Sequence, residues 1–377
     1  VNKFGTTFVS GGDVYSYFTS ITAYNYFEQG GESLLVARVV SQSSGWTPAT
    51  SSFIPTGSGA TGTSPFILQT LSKGTIMNNT GAETTNNVLV SGSADNVRWQ
   101  IVNSNSGSGT FDLLIRRGDD NILQPVVLEA FTGLTLDPYS PNYISKVIGD
   151  SIQNYDSVNN QIQYSGSYAN RSSYVTVKQV NYTTPNFFNS NGAISNANYT
   201  GSIPANASGT FGAATDVIKG GANFYNSINS TNTQGLDAGC YTNMISLLSN
   251  QDDYKFNVLL TPGIYDADYS TVTNTIITNT QNRGDNIYVL DLVAYAKTVN
   301  DATAQAAAKN TSYAASYWPW TQVIEPSTGQ LVWVPASTVI GGVYAYNDSV
   351  SEPWFAPAGI NRGGLSTVVR AEQKLSQ

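Results

Sequence analysis

The residues that ordinarily carry catalysis are sparse in this chain, and one type is missing altogether. The 377-residue sequence contains no histidine. Ser-His-Asp and Cys-His nucleophile activation and histidine metal sites are therefore excluded. The single cysteine, Cys240, falls on the apolar face of an expected helix and reads as a buried structural thiol. One cysteine also rules out an intrachain disulfide. GSGATG, 57–62, has the form of a dinucleotide-binding loop. That chemistry needs a strand before it and a helix N-terminus after it; a proline-containing loop precedes it here and Thr-Ser-Pro follows, so a flexible loop is expected. DADYS, 266–270, begins like a calcium loop, but its sixth position is Thr271 rather than glycine and its twelfth is Ile277 rather than glutamate. Capping carboxylates at a helix start account for it. RGDD, 117–120, reads as a hairpin turn, and Asp252-Asp253 as a solvated turn. No spacing singles out the carboxylate pair of a glycoside hydrolase. The expectation is no enzyme, no cofactor and no metal.

Composition points the same way. Charged residues make up 11% of the chain, where about 25% is usual, so its polar surface must come from Asn, Ser, Thr and Gln. Apolar residues make up 40% and include 23 tyrosines, enough to bury sizeable cores. A net charge of −8 on so few charges does not suit binding to a phosphate backbone. No run of 18 apolar residues is present, so no membrane span is expected. The length suggests two or three domains. The first residue is Val rather than Met, so the chain is expected to be a piece of a longer one.

The elements that would position any site fall into two textures. Residues 13–27 carry apolar groups at helical spacing, closed by Gly30-Gly31, and SLLVARVV, 33–40, reads as a buried strand. Residues 41–64 read as a Ser/Thr/Gly/Pro linker. From 65 to 215 the expected strands are FILQTL, NVLVSG, VRWQIVN, TFDLLIRR, PVVLEAF and YVTVKQVNY, with one helix at 139–149 started by Ser140-Pro141. After 216 helices and buried strands alternate: 236–250 helical, 256–263 a strand ending in Pro-Gly, 266–284 helical, 286–295 a strand, 301–310 helical. That grammar implies a parallel sheet covered on both faces. The fold class expected is α/β plus α+β: a discontinuous α/β domain, 1–40 with 216–360, interrupted by a β-rich domain at 65–215. Residues 363–377 read as the start of a further helix, with Leu365, Val368 and Val369 as its stripe.

Aromatics cluster late in the chain. AASYWPW, VWVPASTVIGG and PWFAPAG hold Trp318, Trp320, Trp333, Trp354 and Phe355, and Pro319, Pro335, Pro353 and Pro357 keep that backbone out of regular helix. Rigid aromatic ledges of this kind act as core lids or as interface anchors.

Taken in order, these stretches resemble the contractile tail sheath proteins of bacteriophages, which are related to the sheaths of contractile injection systems. The matching residues are Tyr313–Trp320, Val334-Pro335-Ala336-Ser337, Gly341-Gly342, Asp348, Trp354–Gly359 and Asn361-Arg362-Gly363. The opening NKFG and YFTSITAYNYFEQGGESLLVARVV also look like the family's start. The likeness is weaker through 65–215, where LLIRR and SPNYISKVIG match best. The resemblance implies a non-enzymatic subunit that polymerises as stacked rings around a tail tube and contracts to drive the tube through the host envelope. It implies contacts with other sheath subunits, the tube protein, and baseplate and tail terminator proteins, with no nucleic acid and no membrane insertion. The location implied is the virion, after assembly in the host cytoplasm. Residues 1–40 and 216–360 would be the sheath core, 41–64 a linker or reduced outer loop, and 65–215 an outer domain. Residues 361–377 would enter a missing C-terminal polymerising domain, and an N-terminal arm would also be missing, so the piece alone is expected to be monomeric. The structural and interface residues implied are Trp318, Pro319, Trp320, Pro335, Asp348, Pro353, Trp354, Phe355, Pro357, Gly359, Asn361 and Arg362. An injection-system sheath, a secreted β-rich adhesin or glycan-binding module, and a hydrolase are the other readings.

Overall fold

The computed structural model describes residues 7–10, 13–39, 47–57, 62–79, 84, 86–215, 232–352 and 354–374. The chain divides into two compact units, one of residues 1–41, 157–161 and 222–377, the other of 42–156 and 162–221.

The first unit opens with an antiparallel hairpin, β1 (Thr7–Ser10) and β2 (Asp13–Ser16), then helix α1 (Phe18–Glu28). The helix expected from residue 13 thus starts at Phe18, because pairing with β1 already satisfies the backbone of 13–16. SLLVARVV is not a buried strand. Its described part, 33–39, forms no strand and has no ladder partner, with Leu34, Leu35 and Val36 exposed.

The second unit is two four-stranded antiparallel sheets. Its elements are β3 (Pro48–Ser51), β4 (Phe66–Lys73), β5 (Val97–Asn105), β6 (Thr110–Arg117), β7 (Val127–Thr135), α2 (Ile144–Ile148), the hairpin β8 (Ile152–Asp156) and β9 (Gln161–Ser165), β10 (Val175–Val180), α3 (Ala197–Ser202), β11 (Ala207–Gly209) and β12 (Phe211–Gly212). One sheet has the order β10-β4-β3-β12, the other β11-β5-β6-β7. Alternate residues of both enter one core, where Phe66 stacks on Phe111 with ring centres 5.6 Å apart. Buried Trp99 donates its Nε1–H to Thr210 O at 3.2 Å. Residues 41–64 are therefore more than a linker: β3 pairs with β4, and Ala49 and Ile54 are buried. Most of GSGATG lies outside the described residues. NVLVSG is a series of turns with only Leu89 buried among its apolar residues. The helix expected at 139–149 begins only at Ile144, after turns at Ser140 and Pro141.

RGDD is more than a turn. Arg98 and Arg116 are directly opposed across β5 and β6, an arrangement that is repulsive by itself. Asp120 lies between them, fully buried. It takes Arg116 Nε at 2.7 Å and Arg116 Nη2 at 2.9 Å, with Arg98 Nη1 at 3.4 Å. The Val126 amide donates to its second oxygen at 2.9 Å.

The chain then returns to the first unit with α4 (Tyr241–Leu248), β13 (Val258–Tyr265), α5 (Asp266–Arg283), β14 (Ile287–Asp291), α6 (Val299–Ala307), β15 (Ala314–Ser316), β16 (Thr321–Ile324), β17 (Leu331–Val334), α7 (Ser337–Val350) and β18 (Val368–Ala371). Strands β13, β14 and β15 form a parallel sheet in that order, as the alternating grammar implies. The fold is thus mixed, with parallel and antiparallel sheets. Strand β13 does not end at Pro262-Gly263 but runs through them with a register shift. Helix α5 starts on Asp266 and Asp268 and stops at left-handed Gly284. Cys240 is half-buried just before α4. Residues 363–377 are not a helix where described: Val368–Ala371 is a strand, antiparallel to β16. Non-local pairing wins there, and the Glu372 amide bonds Trp320 O at 2.8 Å.

Candidate assembly surface

The aromatic segment divides into an inner and an outer part, both within the first unit. Trp320 is the inner one. It donates its Nε1–H to Val293 O at 3.0 Å and packs its ring on Phe18, Tyr265 and Tyr295, with centroids 5.8, 5.6 and 5.5 Å away. Trp318 is half-buried against the α5 side of the sheet, and Pro319 joins the two tryptophans through a cis peptide. Pro335 is buried immediately before α7. These residues hold a core together.

At the start of α7, sequence reasoning missed a site. Asp291, at the C-terminal end of β14, is buried, and both its oxygens are occupied by Ser337. The backbone N–H donates at 3.1 Å and the hydroxyl at 2.5 Å. Burial pushes the Asp291 carboxyl up to about 7, against the opposing pull of the Ser337 hydrogen bonds. The visible signal was a carboxylate inside an apolar run, YVLDL. Beside it, burial raises the Tyr265 phenol, and the nearby charge of Asp291 adds to the rise. Asp291 has no open face toward solvent, so this is a tie between a sheet and a helix rather than a place for a substrate.

The outer part follows α7. Asp348 is exposed near the helix end, and Pro353 lies outside the described residues. Trp354 is 77% exposed and Phe355 44%. Both project from the unit, and no helix follows among the described residues. The turn is held by polar contacts instead. Asn347 Nδ2 donates to Phe355 O at 3.1 Å, and the Phe355 amide to Glu352 O at 2.9 Å. Arg362 lies over the Phe355 ring at 4.9 Å and gives its Nε–H to Ala356 O at 3.3 Å. Gly359 takes φ +78°, a left-handed value that a side chain would strain. Pro357 is half-buried, Asn361 is exposed, and the next apolar residue, Ile360, is 98% exposed.

The exposed apolar surface extends beyond the turn. Phe27 of α1, Leu34, Leu35 and Val36 after it, Tyr346 and Val350 of α7, and Leu365 and Val369 are all exposed. Gln29 reaches Ser366, and a Cβ on Gly30 would meet Ser349 Oγ at 3.6 Å, so the ends of α1, α7 and the final segment adjoin. Contiguous exposed apolar surface rimmed by polar groups marks sites of association. Among the described residues, no group of three His, Cys, Asp or Glu could hold a metal ion, and no helix is long and apolar enough to cross a membrane.

No family model matches the chain. Over 38 residues, 10% of this chain and 6% of the other protein, it is 53% identical to the tail sheath protein of Vibrio phage KVP40.

Proposed function

We propose that this chain is a subunit of a phage contractile tail sheath. The observation that carries the reading is the 53% identity over 38 residues to a phage tail sheath protein. The ordered resemblance of the segments from Tyr313 to Gly363 agrees with it, and so does the apolar surface around Trp354. In this reading the first unit makes the contacts between subunits, and the second unit is a variable outer domain. Subunits stack as rings around a tail tube and contact baseplate and terminator proteins at the ends of the stack. Contraction needs no nucleotide: subunits move as rigid bodies from a kinetically trapped extended state, releasing energy stored at assembly. The particle is the virion tail, assembled in the host cytoplasm.

The test is negative-stain electron microscopy of the protein as its natural gene encodes it. Long striated tubes are expected. Dispersed particles across a range of salt and protein concentrations would overturn self-polymerisation and favour a binding module.

A further inference from the structure

One cluster of reactive side chains in the first unit has no part in the aromatic segment or in the tie at Asp291. Asp266, at the start of α5, is buried, with 1% of its side chain exposed. Its Oδ1 accepts the Thr273 hydroxyl at 2.5 Å and lies 2.6 Å from Lys309 Nζ. The Lys309 side chain is 15% exposed, so its amine sits in a largely enclosed place. The same Nζ is 2.6 Å from Oδ1 of Asn274, further along α5. One amine thus touches a buried carboxylate and a carboxamide at once, and an ion pair needs only the first of these contacts.

Folding fixes all three groups. Helix α6 closes with the Lys309 amide on Ala306 O at 3.0 Å, and the lysine side chain reaches across to α5. Thr273, next to Asn274 in sequence, holds the Asp266 carboxylate. A lysine amine becomes a nucleophile when it gives up its proton, and in a desolvated ion pair the adjacent carboxylate can take that proton and neutralise both groups. Holding the amine against the acyl group removes much of the entropic cost of joining them. Asn274 itself is exposed, so a small leaving group has a way out to solvent.

We propose that Lys309 and Asn274 join in an isopeptide bond, with Asp266 as the proton relay. Asp266 takes one proton from the Lys309 ammonium, and the freed electron pair on Nζ attacks Cγ of Asn274. The carbonyl electrons move onto Oδ1 and return as the Cγ–Nδ2 bond breaks. Asp266 passes its proton to the departing Nδ2, which leaves as ammonia. The second proton shed by Nζ follows the same route, so the product departs as ammonium and Asp266 ends as the carboxylate it began as. No oxidant, metal or nucleotide enters the balance. The bond ties helix α5 to the segment that leads into β15, and it restricts the unfolded chain as other cross-links do. The inference does not depend on the sheath reading.

Mass spectrometry tests it. The unaltered chain, incubated at neutral pH, is expected to weigh about 17 Da less than its sequence, the loss of one ammonia. Tryptic digestion should release a branched peptide that contains Asn274 and is uncut at Lys309. Lys309→Arg and Asn274→Ala should each restore the full mass. Asp266→Asn should slow linking about a hundredfold. Full mass in the unaltered chain would overturn the proposal. A loss of ammonia that persists in Lys309→Arg would belong to a succinimide, as at Asn191-Gly192, and would also overturn it. Linking at an unchanged rate in Asp266→Asn would remove the relay. If the variants fail to fold, the presence or absence of the branched peptide from the unaltered chain decides.

Discussion

Trp320 and Trp354 show at the residue scale how little the type of a side chain says about its work. Trp320 is enclosed by three aromatic rings and a carbonyl, so Trp320→Ala should cost about 3–5 kcal/mol, read as a lowered denaturation midpoint. Trp354 stands 77% exposed, so Trp354→Ala should change the stability of the chain by less than about 0.5 kcal/mol. The same substitution should weaken assembly by about 2 kcal/mol or more if Trp354 is an interface anchor. A loss of stability with unchanged assembly would reverse these roles. Asp120 is the third case. Asp120→Asn leaves two opposed buried guanidinium groups without their carboxylate, and a loss of about 3–5 kcal/mol is expected in urea denaturation. As a sequence, RGDD showed only a turn, because the two arginines that need Asp120 are brought together by strand pairing and not by spacing.

Among the elements, the tie between β14 and α7 should show itself in pH. The folded chain holds a proton on Asp291 up to about pH 7, whereas the unfolded chain releases it near the ordinary 3.8. Between those values the folded state binds more protons, so this group's contribution is complete below pH 3.8 and is lost as pH rises through about 7. The expected loss is a few kcal/mol. Asp291→Asn can still accept from the Ser337 amide and donate to its hydroxyl, so it should flatten this part of the stability profile. A variant with an unchanged pH profile would refute the assignment. The parallel strands at 258–265 and 287–291 were legible because continuous apolar runs between helices have few other solutions. The same rule misread 33–40, whose described part, 33–39, has no ladder partner, and the stripe at Leu365, Val368 and Val369, of which Val368 and Val369 belong to a strand. In both segments the outcome depends on which edge lies within reach.

For the whole molecule, the second unit has its own core of more than twenty buried apolar side chains drawn from both of its sheets. Residues 42–221 expressed alone should therefore unfold in one cooperative thermal transition, followed by circular dichroism. A non-cooperative melt would show that this core depends on the rest of the chain.

Composition alone settled that histidine chemistry is absent, because chemistry requires particular atoms and no folding can supply them. The order of apolar runs and glycine stops determined the α/β stretch after residue 216, because periodicity and caps act over a few neighbouring residues. Tertiary structure decided the rest. It placed Asp120 between Arg98 and Arg116, closed Asp291 onto Ser337, paired β18 with β16, and sent Trp354 outward while Trp320 went in. Each of these depends on contacts between residues far apart in the chain or on distinct elements, and burial is a property of the surroundings rather than of the residue.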